Sequence, residues 1–251
     1  MIQKISFLIV VILLFSCTPK KEIVVNPPYF RNASRGAEYV GKETCATCHE
    51  KKVRDFKLAD HFRIEVSGVE GVHGTSCEMC HGPGSLHVEG GGDKTKILNL
   101  KKDNESCFQC HLEKKAEFKL LSHHPVLEGK VKCTDCHDPH GSDVQPWSAV
   151  SIRGTNDTCF KCHAGKQGPL SYEHEALASS CTVCHNPHGS IHPKMLLQND
   201  KNLCIKCHAQ VDYPTIGKRS AHSGYSVQGT CWSAGCHTKP HGSNFDPHLR
   251  Y

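Results

Sequence analysis

The sequence predicts a mostly α-helical protein with much irregular loop, little or no sheet, and an extended shape built from repeated modules. Hydrophobic residues make up only 37% of the 251 residues, below the roughly 45–50% of ordinary globular chains. Cysteine and histidine are enriched instead, with 17 and 20 copies, and they recur in one short string along the chain. Groups other than aliphatic side chains must therefore fill the interior. This composition argues against a Rossmann enzyme, a TIM barrel or a polytopic membrane protein.

The N-terminal segment predicts export. One lysine precedes an apolar run from Ile5 to Phe15, which has the length of a signal-peptide core and is too short to span a bilayer. The run ends in Leu-Phe-Ser-Cys, which resembles a bacterial lipobox, so residues 1–16 are predicted to be a lipoprotein signal peptide and Cys17 the lipidated N-terminus. An ordinary signal peptide with a chance cysteine is the alternative. Residues 17–40 show no helical or strand period and are predicted to be a flexible tether.

The other sixteen cysteines form eight pairs, and a histidine directly follows each pair. Seven pairs have the spacing C-x-x-C-H, and the eighth, Cys231 with Cys236, has four intervening residues. C-x-x-C-H is the attachment signature of c-type haem: the two thiols add to the vinyl groups, and the histidine binds the iron from one face. The cysteines predicted to attach haem are Cys45, Cys48, Cys77, Cys80, Cys107, Cys110, Cys133, Cys136, Cys159, Cys162, Cys181, Cys184, Cys204, Cys207, Cys231 and Cys236. The predicted proximal ligands are His49, His81, His111, His137, His163, His185, His208 and His237.

Structural zinc sites, disulfides and thioredoxin-like redox pairs also use paired cysteines. None of them requires a histidine after the second cysteine, and eight chance histidines would be very rare even at this histidine content. The sequence therefore predicts eight haem c groups per chain, which would themselves form the core of residues 41–251. This octahaem domain divides into four units of two motifs, starting near Cys45, Cys107, Cys159 and Cys204. The four-residue spacer of the last motif is known in tetrahaem cytochromes c3 and would place Trp232 in its loop.

Further histidines recur at regular offsets and predict a second axial ligand for each iron. One follows each first motif of a unit by about a dozen residues, and another follows each second motif closely, three times within the string Pro-His-Gly. The predicted distal ligands are His61, His87, His124, His140, His174, His188, His222 and His241. His123 is an alternative to His124, and the sequence does not say which distal histidine serves which haem. His73, His192 and His248 are left over and are expected to be surface residues or propionate partners.

Bis-histidine ligation predicts electron transfer rather than catalysis. Apart from Met1 the chain has only Met79 and Met195, so histidine–methionine ligation is nearly excluded. Filled axial positions leave no site for a substrate on the iron. Short helices are expected after the motifs, for instance over Glu50–Arg63 and Glu113–Leu121, joined by loops such as Gly82–Gly92. The haem propionates would make the holoprotein acidic despite a chain charge of +5, so no nucleic-acid partner is expected.

Four strings carry a resemblance to a known family: YVGKETCATCHE, CEMCHGPGSLH, SHHPVLEGKVKCTDCHDPHG and GCHTKPHGSN. Residues 39–245 resemble the periplasmic multihaem cytochromes of outer-membrane porin–cytochrome conduits, the MtrA/DmsE type. The resemblance implies a β-barrel porin partner, periplasmic donor cytochromes, and an outer-surface multihaem cytochrome or reductase. The chain departs from the decahaem members in having eight motifs and a predicted lipid anchor. The eight haem motifs of this chain agree better with the octahaem subunits of such complexes.

Three functions compete. The first is an electron conduit at the periplasmic side of the outer membrane or inside a porin. The second is a free-standing periplasmic or surface carrier, tethered to the membrane or assembled into filaments. The third is a multihaem reductase, which often carries lysine in place of a motif histidine, and no C-x-x-C-K occurs here. The terminal donor and acceptor, the direction of flow, the membrane face and the oligomeric state stay open.

Overall fold

A computed structural model of the protein describes residues 35–63, 77–141, 155–208, 231–232 and 236–250. These segments contain short helices joined by irregular loops, together with six short 3-10 helices. The α-helices are α1 Gly41–Phe56, α2 Glu78–His81, α3 Ser85–Glu89, α4 Glu105–Phe108, α5 Leu112–Glu117, α6 Cys133–Cys136, α7 Thr155–Phe160, α8 Glu175–Ser179 and α9 Asp200–His208. In the described segments no residue belongs to a β-strand, and the only β-type pairing is three isolated bridges. The predicted fold class is therefore confirmed. No described helix is long and apolar enough to cross a membrane.

Helices both run through the haem motifs and follow them. α1 begins four residues before Cys45, is kinked at His49 and ends at Phe56, so its second part has the predicted start at Glu50 but stops before the predicted end, where a separate 3-10 helix covers Asp60–Arg63. α5 stops at Glu117, short of Leu121, and α3 lies inside the predicted loop Gly82–Gly92. The physical reason is the spacing of the motif. Residues three apart are neighbours on one helical turn, so C-x-x-C brings its two thiols together when the backbone is helical.

The motif histidine ends this helical geometry in a repeated way. His49, His111 and His163, each in the first motif of a unit, have φ between −112° and −95° and ψ between 36° and 56°. These values lie outside the α-helical region, so the chain turns at the residue that follows the second cysteine. The turn directs the histidine away from the axis of the helix that carries the thiols.

Aliphatic packing is sparse, as the composition predicts. Ala59, Phe108, Phe118 and Val126 are the buried hydrophobic residues of the described segments, and the last three form one small cluster. Polar side chains fasten the two motifs of a unit instead. The amide of Asn104 donates to the carbonyl oxygens of Val126 and Val131 and accepts from the N–H of Cys133 at 3.1 Å. Asn156 repeats this role, accepting from the N–H of Cys181 at 2.7 Å.

The first unit uses a buried carboxylate for the same purpose. Glu78 lies between the two cysteines of the second motif and is only 1% exposed. Its oxygens accept hydrogen bonds from the backbone N–H groups of Val40 at 3.0 Å, Gly41 at 2.9 Å and Gly84 at 2.8 Å. Two of these groups belong to the start of α1, where backbone donors have no helical partner. Glu78 therefore ties the second motif to the N-terminus of the helix that carries the first.

The Pro-His-Gly strings pack against the preceding unit. The backbones of Ser190 and Ser122 exchange two hydrogen bonds, and Ser243 and Tyr172 repeat the pattern. At the glycine before each serine there is no room for a side chain. A Cβ on Gly189 would collide with the backbone carbonyl of Glu117, and one on Gly242 with the side chain of Leu170. At these two junctions the units thus approach so closely that the glycine leaves no room for a Cβ.

Candidate haem-binding sites

All sixteen motif cysteines lie in the described segments. The first cysteines of the two motifs in a unit come together. A hydrogen bond between Cys45 and Cys77 raises the pKa of the former and lowers the pKa of the latter to about 7. Cys107 and Cys133 form the equivalent pair, with the same lowering of the Cys133 pKa.

Thiols of adjacent units also approach each other. Burial, followed by the nearby thiols of Cys110 and Cys77, raises the pKa of Cys80 to about 11. Cys184 and Cys207 lie close enough for a similar electrostatic effect. Along the chain, the neighbouring thiols of consecutive motifs are Cys45 and Cys77, Cys80 and Cys110, Cys107 and Cys133, Cys136 and Cys159, Cys159 and Cys181, and Cys184 and Cys207. The first seven motifs therefore form one unbroken series of close neighbours.

Seven motif histidines each face one of the predicted distal histidines. The ring centres are separated by 5.9–6.3 Å in every pair. The pairs are His49 with His87, His81 with His140, His111 with His61, His137 with His188, His163 with His124, His185 with His241 and His208 with His174.

This separation fits an iron between two imidazoles. A metal–imidazole bond is about 2.0 Å long and the ring centre lies about 1.1 Å beyond the bound nitrogen, so two axial rings have centres roughly 6 Å apart. The interplanar angles range from 11° for His81 with His140 to 89° for His61 with His111. If the two rings were in direct contact, stacked and edge-on pairs would have different separations, so the distance between ring centres would change with the interplanar angle. Rotation about an axial N–Fe–N line leaves the distance unchanged, so a constant separation with variable angle matches the geometry of a bis-histidine haem.

Backbone carbonyls orient many of these rings through Nδ1. His81 donates to the carbonyl of Leu98 at 3.0 Å, and His124 donates to that of Pro187 at 2.7 Å. The other donors of this kind are His87 to Asp93, His174 to Pro240, His185 to Lys194 and His237 to His248. A carbonyl oxygen can only accept, so Nδ1 carries the proton and Nε2 keeps the lone pair that binds a metal. Such a partner fixes both the tautomer and the ring direction.

Burial keeps several of the distal rings neutral. Burial is the largest cause of the lowered pKa of His61, His140, His188 and His241. For His61 the neighbouring His111 lowers the pKa further. A neutral imidazole is the form that ligates iron, so these positions suit axial ligands.

His123 and His124 are clearly distinguished. Nδ1 of His123 donates to the carbonyl of Leu120 at 2.6 Å, and its Nε2 lies 3.0 Å from Glu128. Glu128 is also the main reason that the pKa of His123 is raised. Both nitrogens of His123 are thus engaged, whereas His124 has its Nε2 directed to His163. The sequence alone could not separate these adjacent residues.

The remaining histidines differ in position. His222 and His73 lie outside the described residues. The carbonyl of His248 accepts from Nδ1 of His237, which places His248 on the side of that ring away from Nε2. Beside this last motif, the Lys194 ammonium sits 3.5 Å from the centre of the Trp232 ring, a cation–π contact between the spacer and the preceding unit.

The pairs cross between units, which the sequence did not predict. His188 of the third unit faces His137 of the second, and His124 of the second faces His163 of the third. The neighbouring junctions repeat this two-way exchange with His61 and His140, and with His174 and His241. Among the seven pairs that the described residues form, His49 and His87 are the one pair within a single unit. In the sequence, the one signal of this crossing is the regular offset of the extra histidines from the motifs. The offset does not show whether a histidine faces a haem motif of its own unit or of a neighbouring unit.

Comparison with known proteins places the chain among multihaem cytochromes. A family model described as a doubled CXXCH motif matches residues 123–168 and 174–213. The chain is 29% identical over 267 aligned positions to the multihaem cytochrome MtrA of Shewanella baltica (strain OS185), covering 81% of this chain and 79% of MtrA. It is 28% identical over 109 positions to the cytochrome c-type protein NrfB of Haemophilus influenzae (strain ATCC 51907 / DSM 11121 / KW20 / Rd), covering 37% of this chain and 45% of NrfB.

Among solved structures, the undecahaem cytochrome from the S-layer of Carboxydothermus ferrireducens matches 72% of this chain and 33% of its own, at 18% identity. The TM-score is 0.18, which is too low for a comparison of folds. The similarity to MtrA and the doubled motifs agree with the family resemblance of the sequence strings. The chain is therefore a homologue of the multihaem cytochrome MtrA with doubled CXXCH motifs, and these similarities support electron transfer through covalently bound haem c.

Proposed function

We propose that the chain holds eight haem c groups in one series and conducts electrons along it as the haem subunit of an outer-membrane conduit. The observation that supports this most strongly is the constant 5.9–6.3 Å separation of seven motif histidines from seven distal histidines. In haem order, the proposed distal ligands of the first seven haems are His87, His140, His61, His188, His124, His241 and His174. Their cysteines and proximal histidines are those of the corresponding motifs.

The eighth iron is assigned by the symmetry of the exchange. At each junction, each of the two units provides one distal histidine to a haem of the other unit. The first and last units have only one junction, so each of them keeps one haem and one distal histidine that no junction pairs. At the N-terminal end the two left over are His49 and His87, and they pair within their unit at 6.3 Å. At the C-terminal end the corresponding two are His237 and His222. We therefore assign His222 to the last haem.

The protein's own contribution is positioning. The haems supply reversible one-electron transfer when bound. The motif and distal histidines would hold each iron from both sides and leave no position for a substrate, and we propose that the chain has no reductase activity of its own. Carbonyls on Nδ1 hold the imidazoles in one orientation, which limits reorganisation when an electron arrives. The thiols of consecutive motifs are neighbours, which would bring successive haems close enough for electron hopping.

The placement in the cell follows from the N-terminus and the relatives. We propose that Cys17 is lipidated, that residues 17–40 tether the folded body, and that residues 41–251 hold the haems. A file of eight porphyrins, each roughly 10 Å across, exceeds the ~30 Å hydrocarbon core of a membrane. A β-barrel porin would enclose part of it, with periplasmic cytochromes as donors and an outer-surface multihaem cytochrome or reductase as the next partner.

This role is tested on native membranes. Gentle solubilisation, separation and haem staining should yield one band that contains this cytochrome and a β-barrel protein at a fixed ratio. A band that holds this chain alone in several detergents would contradict the conduit and favour a tethered carrier or a homopolymer. Mass spectrometry of the same band counts the haems and detects acylation of Cys17.

The adjacent pair His123 and His124 gives a matched test of the axial assignment. We expect His124→Ala to leave one haem without its sixth ligand and to produce a high-spin ferric signal. His123→Ala should leave every haem low-spin, because its ring is held by Leu120 and Glu128. Electron paramagnetic resonance of the two oxidised variants provides the measurement. The assignment is wrong if the two variants exchange these results or give the same spectrum.

A further inference from the structure

The axial histidines differ in what faces their Nδ1 atoms. Six motif or distal histidines donate to neutral backbone carbonyls at 2.6–3.0 Å. His188 instead faces a carboxylate: Oε2 of Glu117 lies 3.4 Å from its Nδ1. Oε2 is fully buried and has no well-aligned hydrogen bond of its own. The other oxygen, Oε1, is 2.7 Å from the ammonium group of Lys114.

The position of Glu117 is fixed by the junction between the second and third units. It is the last residue of α5, and its carbonyl is in contact with Gly189, the residue after His188. Its Oε1 forms an ion pair with the Lys114 ammonium group at 2.7 Å, and its Oε2 lies 3.4 Å from Nδ1 of His188. The side chain is therefore a charge-paired carboxylate held against the back of one imidazole. A buried charge is screened far less than an exposed one.

Building on the axial assignment proposed above, we propose that Glu117 lowers the reduction potential of the fourth haem, held between His137 and His188. A carboxylate that faces Nδ1–H makes the imidazole a stronger electron donor, and its negative charge favours the ferric over the ferrous iron. One electron then enters from a neighbouring haem and leaves to the next, and the Nδ1 proton stays on His188. Glu117 is thus a tuning residue that acts through His188 and sets an energy step in the middle of the array.

Two equivalent junctions show how local this effect is. In the second unit, Asp138 Oδ1 lies 3.5 Å from Nδ1 of His140, but the same oxygen already accepts the backbone N–H of that histidine at 3.0 Å. In the fourth unit, the charged neighbours of His241 include Lys166 and Lys194. The sixth haem, between His185 and His241, should therefore have a higher potential than the fourth.

Spectropotentiometric titration of the purified, fully haem-loaded protein tests this inference. We expect Glu117→Gln to move one of the one-electron components to a higher potential while all haems stay low-spin. Lys114→Gln should move the same component the other way, because it removes the positive charge that offsets the carboxylate. Glu105→Gln is the control: it removes the same charge from an exposed ion pair with Lys115, and no component should move comparably.

The outcomes separate the tuning role from the axial assignment. Unchanged potentials in a low-spin Glu117→Gln protein would overturn the tuning role and leave the assignment intact. A new high-spin haem in that variant would also overturn it, since Glu117 would then be holding His188 in place. If His188→Ala leaves every haem low-spin, the assignment itself is wrong and the inference is overturned with it.

Discussion

Replacing His188 with alanine should convert one haem from low-spin to high-spin, and that haem should be the one attached through Cys133 and Cys136. The reason is the 5.9 Å separation of His188 from His137, across the junction of two units. Alanine has no group that can replace the imidazole, so the iron keeps only its proximal ligand. The expected change is one high-spin haem per protein, about one in eight on the proposed count, seen by electron paramagnetic resonance.

The identity of the affected haem is tested with a second variant. Cys133→Ala with Cys136→Ala removes the attachment of the fourth haem. In that background His188→Ala should add no high-spin signal, because its iron is already absent. If His188 served a haem of its own unit, the signal would persist in the combined variant. Persistence of the signal would therefore refute the crossing of ligands between units.

The covalent chemistry of this protein could be read from its sequence, because the cysteine and histidine spacing is imposed by a porphyrin of fixed size. Cys45, Cys48 and His49 must be close in the chain to bind one haem. The same constraint favours a helical turn through the thiols themselves, because residues three apart are neighbours on a helix. The sequence analysis placed helices only after the motifs, where the second part of α1 and α5 do lie, and did not include this turn.

The pairing of ligands could not be predicted, because it depends on contacts between residues far apart in the chain. His124 is directed by the carbonyl of Pro187, 63 residues later. Its neighbour His123 has the same side chain. The two residues differ in their contacts, because His123 is held by the Leu120 carbonyl and by Glu128. Periodicity reports how many histidines each unit supplies. Only the tertiary structure shows that these histidines face the motif histidines of the neighbouring units.

Ligand exchange also has a consequence for stability. In a chain of ordinary repeats, each module contributes its own stability plus a contact term with its neighbours. On the proposed assignment, a unit in the middle of the array supplies the distal ligand of neither of its own irons. Haem ligation therefore couples adjacent units directly, and loss of one junction should affect two haems at once. The glycine of the Pro-His-Gly string lies at the centre of that coupling.

Gly189→Ala should disrupt the junction of the second and third units and leave two haems high-spin. The new Cβ would collide with the backbone carbonyl of Glu117, so the segment that carries His188 must move away from α5. That movement also withdraws the Pro187 carbonyl from His124 and breaks the pairing of Ser122 with Ser190. The fourth and fifth haems would each lose a sixth ligand. Overpacking of this kind typically costs about 1–3 kcal/mol, which thermal unfolding would register.

Gly165→Ala is the matched control for this substitution. Nothing lies within 4 Å of a Cβ at Gly165, and its φ is not in the left-handed region. The control should therefore keep the unfolding temperature and the low-spin spectrum of the original protein. If Gly189→Ala behaves like the control, the close approach to Glu117 does not hold the junction together. If it produces one high-spin haem rather than two, His188 depends on the junction but His124 is oriented by other contacts.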